Sequence, residues 1–235
     1  MLALIKKELR SYFNSPIAYI FITVFLVLTG WLFFRSFFIA NQASMRDWFS
    51  LLPWIFLFLI PAVTMRLWAE EKKLGTFEVL MTLPVKDFEV VLGKFLASFI
   101  FLAIALVLTL PIPLIISFLG SPDKGVIFAQ YLSALLLGGA YLAIGLFVSS
   151  ATSNQIIAFI LAVSISFFFL IIGEPIVLYV IPSLIAPLFQ YLGLGAHFES
   201  MGRGVIDSRD FLYYLSMIFL FLFLNMKNIE SRKWK

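Results

Sequence analysis

The chain has 235 residues, 62% hydrophobic and 13% charged, with a formal net charge of +4 and a mean hydropathy of +1.04. A soluble domain carries about 25% charged residues, so this chain needs lipid as its solvent and has no part left over for a soluble catalytic domain or a nucleic-acid surface. Zero cysteines exclude disulfides and cysteine-ligated metals, and a single histidine excludes a multi-histidine metal site.

At about 20 residues per crossing, the chain has room for roughly five to seven spans. Residues 1–14 predict an amphipathic interfacial helix. Leu2, Ile5, Leu9 and Tyr12 recur at helical spacing, with Lys6, Lys7 and Arg10 largely opposite. The apolar run Ile17 to Phe34 is longer than a signal peptide's core, so no cleaved signal is expected. Pro16 suits the first turn of span 1, residues 16–40. Arg46 and Asp47 mark a short loop before span 2, residues 48–67, which Pro53 and Pro61 should kink. A charged stretch over 68–87 separates it from span 3, residues 88–119, which Pro111 and Pro113 should bend or break. The run Gly120 to Gly125 is a turn signal. Span 4 covers 126–148, the uncharged polar turn Ser149 to Gln155 follows, and span 5 covers 156–173. Gly138, Gly139 and Gly145 on span 4 suit close helix packing.

Residues 174–210 are too apolar for a free loop, yet Pro182, Pro187, Gly193 and Gly195 interrupt them. Paired short helices dipping back into the outer leaflet fit this pattern, with the irregular backbone buried in protein. Span 6 covers 211–226, and 227–235 form a basic tail. With six spans and both ends inside, the inside segments hold twelve basic residues. They are Lys6, Lys7, Arg10, Arg66, Lys72, Lys73, Lys86, Lys94, Lys227, Arg232, Lys233 and Lys235. The outside loops hold Arg46, Lys124, Arg203 and Arg209. The positive-inside rule selects this orientation. The expected fold class is therefore an all-α integral membrane protein that forms a single domain over 1–235.

The charged stretch carries the most chemistry. Glu70, Glu71, Lys72 and Lys73 mark the exit from span 2, and Gly75 permits a sharp turn. Thr76 is placed to cap a short helix from Phe77 to Leu83, with Pro84 directly after it. Phe77, Leu80 and Met81 share one face of that helix. Spacing leaves two readings open. That face is a knob awaiting a water-side partner, or it packs on the chain's own inner ends.

The pattern Glu70-Glu71-Lys72-x-x-Gly75-Thr76-x-Glu78-x-Leu80-x-x-x-Pro84, closing with Gly93-Lys94, resembles the signature of ABC-2 type transporter permeases. The resemblance covers essentially the whole chain. It implies an N-terminal interfacial helix, six spans, a coupling helix between spans 2 and 3 and a re-entrant hairpin before the last span. It also implies docking of Glu70, Glu71, Gly75, Thr76, Phe77, Glu78, Leu80, Met81 and Pro84 on a cytoplasmic ATPase dimer. The same likeness implies a second permease copy or a related permease, and a bacterial inner-membrane location. No G-x-x-x-x-G-K-[ST] loop occurs, so the resemblance places ATP and magnesium on a separate ATPase, with no cofactor in this chain. Near the end, His197-Phe198-Glu199 and the run Gly202 to Asp210 resemble the gliding-motility permease subgroup and the permeases of nitrous-oxide-reductase maturation. That narrower likeness allows a periplasmic auxiliary protein. It singles out His197, Phe198 and Asp207 as candidates on the outer side, and Glu174 joins them as a carboxylate at the outer end of span 5.

Enzyme constellations such as G-x-S-x-G and H-E-x-x-H are absent. The spans are expected to lack the buried ionisable groups of an ion-coupled carrier. The remaining alternative is an ATP-independent scaffold that uses the same loop to hold a soluble partner.

Overall fold

The structure, a computed structural model, describes residues 1–40, 44–82 and 85–232. Among these residues every regular element is a helix. In chain order they are α1 (Leu2–Phe13), α2 (Pro16–Ala40), α3 (Arg46–Thr64), α4 (Arg66–Lys73), α5 (Thr76–Thr82), α6 (Asp87–Val107), α7 (Pro111–Leu119), α8 (Lys124–Ala151), α9 (Gln155–Ile171), α10 (Pro175–Leu178), α11 (Ala186–Leu192), α12 (Leu194–Gly202) and α13 (Ser208–Arg232).

Five stretches are long and apolar enough to cross a membrane: Pro16–Arg35, Arg46–Lys73, Asp87–Leu119, Lys124–Ala151 and Ser208–Ser231. The apolar helix α9 has 17 residues. That is about 25 Å, the lower end of a crossing length. Helix α8 is the hub of the bundle and touches α3, α4, α6, α9, α12 and α13. Its small residues allow this. A Cβ on Gly145 would lie 2.1 Å from Thr64 Oγ1, and one on Gly138 would lie 2.3 Å from Leu102 Cδ2. Asp123 and Asn154 cap α8 and α9, each accepting from two backbone amides through its side chain.

Several boundaries differ from the sequence expectation, each for a local reason. The chain does not leave the bundle at residue 67. Helix α3 stops at Thr64, and after Met65 α4 carries helical structure on to Lys73. Ser149 spans the interruption: its hydroxyl donates to Met65 O at 2.9 Å and accepts from the amides of Trp68 and Ala69. Ser149 and Ser150, read from sequence as part of a turn, belong to the last turn of α8. Span 3 breaks where Pro111 withdraws a backbone donor. Helix α6 ends at Val107, and Thr109 donates to Leu106 O at 2.6 Å while pairing with Tyr131 at 2.9 Å. The stretch from 227 continues helix α13 as far as Arg232. The last three residues of the expected tail lie outside the described residues.

The bundle has two ends. Helices α4 and α5, the α8–α9 turn and the last turns of α13 gather at one, joined through Ser149, Ser150 and Asn228. Helix α12 and the starts of α3, α8 and α13 gather at the other, about 30 Å away along α8. There Tyr214 donates to Leu194 O at 2.8 Å, and Tyr213 donates to Leu192 O, so α13 grips the irregular 174–210 segment by its backbone. Gly173 and Gly193 meet backbone to backbone, and a Cβ on Gly193 would sit 2.6 Å from the Gly173 Cα.

Candidate functional site

Gly75 ends α4 with φ +71°, a left-handed conformation that suits glycine after a helix. The turn lets α5 pack back on α4. Thr76 opens α5 but does not cap it, since its hydroxyl donates back to Glu71 O at 3.3 Å. Of the expected knob, Leu80 is 9% exposed, and Phe77 packs its edge on Trp68 at 5.9 Å with the Lys72 ammonium 5.3 Å from its centroid. The apolar face thus packs on the chain itself. The exposed side of the turn and helix carries Leu74, Thr76, Glu78, Val79 and Thr82, with Leu74 68% and Val79 64% exposed. Met81 lies within α5, its side chain outside the description, and Pro84 lies outside the described residues.

Beneath α5 sits a charged node. Lys94, seven residues into α6, is 1% exposed. Its ammonium is 2.7 Å from Glu71 Oε1 of α4 and 3.3 Å from Glu8 Oε1 of α1, and it lies 4.9 Å from the centre of the Trp68 ring. This corrects two expectations. A buried ionisable group does exist in a candidate span, and Glu71 faces inward, with its Oε2 buried and unpartnered among the described residues. Gly93-Lys94 acquires a physical reading. Leu4 of α1 lies against Gly93, where a Cβ would meet its Cδ2 at 2.9 Å, and the next residue grips the same helix through Glu8. Tyr12 adds a hydroxyl contact to Ser98 at 2.9 Å. Arg66 lies over the Tyr12 ring at 5.3 Å. Half-buried Glu70 lines a small polar cavity beside the node.

Helix α4 is also bolted to α8. Besides the Ser149 bridge, Lys72 donates to the Ser150 carbonyl, where the negative end of the α8 dipole favours a cation. Asn228 of α13 donates to Ser150 Oγ at 2.8 Å. Between these elements and α5 lies a cleft of about 760 Å³ lined by Lys72, Gly75, Phe77, Glu78, Ser153, Asn228 and Ser231.

At the other end, His197 is buried and stacked on Tyr213 with ring centres 3.9 Å apart. Its Nδ1 is 2.6 Å from Asp210 Oδ1 and its Nε2 is 2.8 Å from Tyr191 O. The histidine therefore fixes the 191–197 segment to α13. Asp210, the other half of this pair, was not singled out from sequence. Phe198 is buried one residue on. Asp207 accepts from the Arg209 amide at 2.9 Å in the first turn of α13. Glu174 stands before α10, its carboxyl raised above the usual glutamate range by burial and, next, by the charge of Glu199. Glu174 and Phe198 share one cavity, whereas His197 and Asp207 are not among its lining residues.

The helices and their two worked ends define a multi-pass membrane protein with a braced helix protruding at one end. The profile of the ABC-2 family transporter proteins matches residues 2–226, and the chain belongs to that family. It is a membrane component of such a transporter, not itself an ATPase. No curated protein matches the chain.

Proposed function

We propose that the chain is the permease subunit of an ATP-driven ABC-2 transporter in a bacterial inner membrane. It crosses six times, α9 included, with both ends in the cytoplasm. A separate ATPase dimer supplies the energy, and two copies of this chain, or one with a related permease, form the pathway. Helix α5 is the coupling helix. Its buried face, Phe77 and Leu80, transmits force into Trp68 and α4, while its outer face, Glu78 and Val79, receives the ATPase. The observation that carries this reading is the combination of an exposed Val79 with rigid bracing beneath it at Lys94 and Ser149. The likeness of residues 197–210 to gliding-motility permeases extends the output from export to mechanical work with a periplasmic auxiliary protein.

The test uses the chain purified with its ABC ATPase partner. Val79→Glu and Glu78→Arg leave the thermal unfolding of the isolated permease unchanged, because both side chains are exposed. They are expected to weaken ATPase association at least about tenfold, as a charge introduced or reversed at a docking surface does. Wild-type association and turnover in both variants would overturn the assignment of α5.

A further inference from the structure

The end of the bundle opposite α5 holds a cavity of about 870 Å³ between α3, α8, α9, α10 and α12. That volume suits an amphiphile of drug size or a lipid head with part of its chains. One wall is apolar, with Trp54, Leu178 and Tyr179. Trp54 and Tyr179 keep much of their surface open.

The polar wall holds acceptors without partners among the described residues. Gln130 is 4% exposed and lines the cavity. Its Nε2 donates to Gly202 O at 3.1 Å, which sets the orientation of the amide, because a flipped group would face oxygen with oxygen. The atom left buried and unpartnered is therefore the acceptor Oε1. Glu174 and Glu199 line the same cavity, and neither forms an ion pair among the described residues. Nothing bulky separates Glu174 from α12. A Cβ on Gly195 would lie 2.9 Å from its Oε1 and 2.7 Å from Leu170 O, so a side chain there would fill the space the carboxylate uses. Arg46 and Arg203, both exposed, also line the cavity without pairing to either glutamate.

We propose that this cavity binds an amphiphile whose head carries a primary ammonium, with the N–H donors on Glu174, Glu199 and Gln130 Oε1 and the tail on Trp54 and Tyr179. An ammonium has three N–H donors, and carboxylate and amide oxygens only accept. It also removes the repulsion between the two carboxylates that Glu174 bears when the cavity is empty. Two sources carry this chemistry, a phospholipid with an aminoethyl phosphate head and a free alkylamine. The arginines suit a phosphate beside the ammonium. The inference rests on the transport reading for the role of cargo, but binding itself requires only this chain.

The test is thermal unfolding of the isolated permease in phosphatidylcholine nanodiscs, titrated with octylamine, octanoate or octyltrimethylammonium. Octylamine is expected to raise the midpoint saturably, as any ligand of the folded state does. Octanoate should leave it unmoved, and octyltrimethylammonium, with no N–H donor, should bind about tenfold more weakly. Glu174→Gln and Glu199→Gln should each weaken octylamine by about tenfold or more. Glu174→Gln should unfold no earlier than wild type without ligand, which separates lost binding from lost folding. Nanodiscs containing phosphatidylethanolamine that abolish the octylamine shift identify the lipid head as occupant, and an unchanged titration identifies the free amine. Equal shifts from octanoate, or full octylamine binding by both glutamine variants, would overturn the proposal. Because no ATPase is present, either result leaves the role of α5 to its own test.

Discussion

At the scale of single residues, Lys94 is the charge on which the α5 end turns. Two carboxylates from different helices converge on it, so it joins α1, α4 and α6 at one atom. Removing the cation from a buried pair strands its partners, at roughly 3–5 kcal/mol. Glu71 is partly exposed and Glu8 keeps Lys7 at 3.5 Å, so Lys94→Met is expected at the low end, about 3 kcal/mol. Glu71→Gln leaves Lys94 paired with Glu8 and should cost less, about 1.5 kcal/mol. Thermal unfolding in detergent gives the order, and a larger loss in Glu71→Gln would refute it. Glu174 gives a pH prediction. Its folded-state affinity for the proton is raised, so above about pH 4 the folded protein holds more of the proton than the unfolded chain. Stability therefore falls as pH rises toward the folded value and levels off beyond it. The midpoint of Glu174→Gln minus that of wild type should grow through that window and then stay constant; a difference that shrinks contradicts the burial of this carboxyl. Of the Lys94 node, the helical spacing of Ile5 and Tyr12 was read from sequence, but the carboxylate between them was not. Glu8 lies between Ile5 and Tyr12 on the buried face of α1, a carboxylate in an apolar stripe that announces a buried partner. Which cation answers it depends on how α1 crosses α6, and that no spacing in α1 can state. Phe77 and Leu80 were legible as one face, but whether that face turned outward or inward depended on Trp68, from the preceding helix.

At the scale of elements, the long apolar helices were legible because apolar runs and prolines act locally. The break after Val107 follows from Pro111, and the caps at Asp123 and Asn154 follow from their own side chains. The continuation of helix through Arg66–Lys73 was not legible, since it is sustained by Ser149, 80 positions away from Ala69. Close packing of α8 on α3 was visible as a glycine pattern, and the structure gives it a partner, Thr64. That contact is predicted to be sensitive. Gly145→Ala would drive a methyl group to 2.1 Å from Thr64 Oγ1, on a buried β-branched side chain with little rotamer freedom. Overpacking of this kind costs roughly 1–3 kcal/mol. Thr64→Ala in the Gly145→Ala background should recover part of the loss, giving a favourable coupling in a double-mutant cycle. Additive losses would mean that the two helices do not meet at this pair.

At the scale of the whole molecule, the two ends are built from different kinds of sequence signal. The α5 end comes largely from one contiguous charged stretch, and so it stood out. The opposite cavity draws on residues near 50, 130, 175 and 200, each unremarkable where it lies in the chain. Orientation is the property that ties the ends together, because the basic residues crowd toward α1, α4, the start of α6 and the last turns of α13. If that crowding sets the topology, Glu78 and Lys227 face the cytoplasm while Lys124 and Arg203 face the periplasm. The absence of cysteine makes this directly measurable, since any introduced thiol is the only one. Single cysteines at Lys124 and Arg203, both exposed, should react with a membrane-impermeant maleimide in cells whose outer membrane alone is permeable. Cysteines at Glu78 and Lys227 should react only once the inner membrane is opened. An odd number of crossings would put Lys227 on the same side as Lys124, and reaction of Glu78 from the periplasm would place α5 out of reach of any ATP-burning partner. The pattern across all four positions is therefore needed, because one pair alone tests the number of crossings and the other tests which way the lever points.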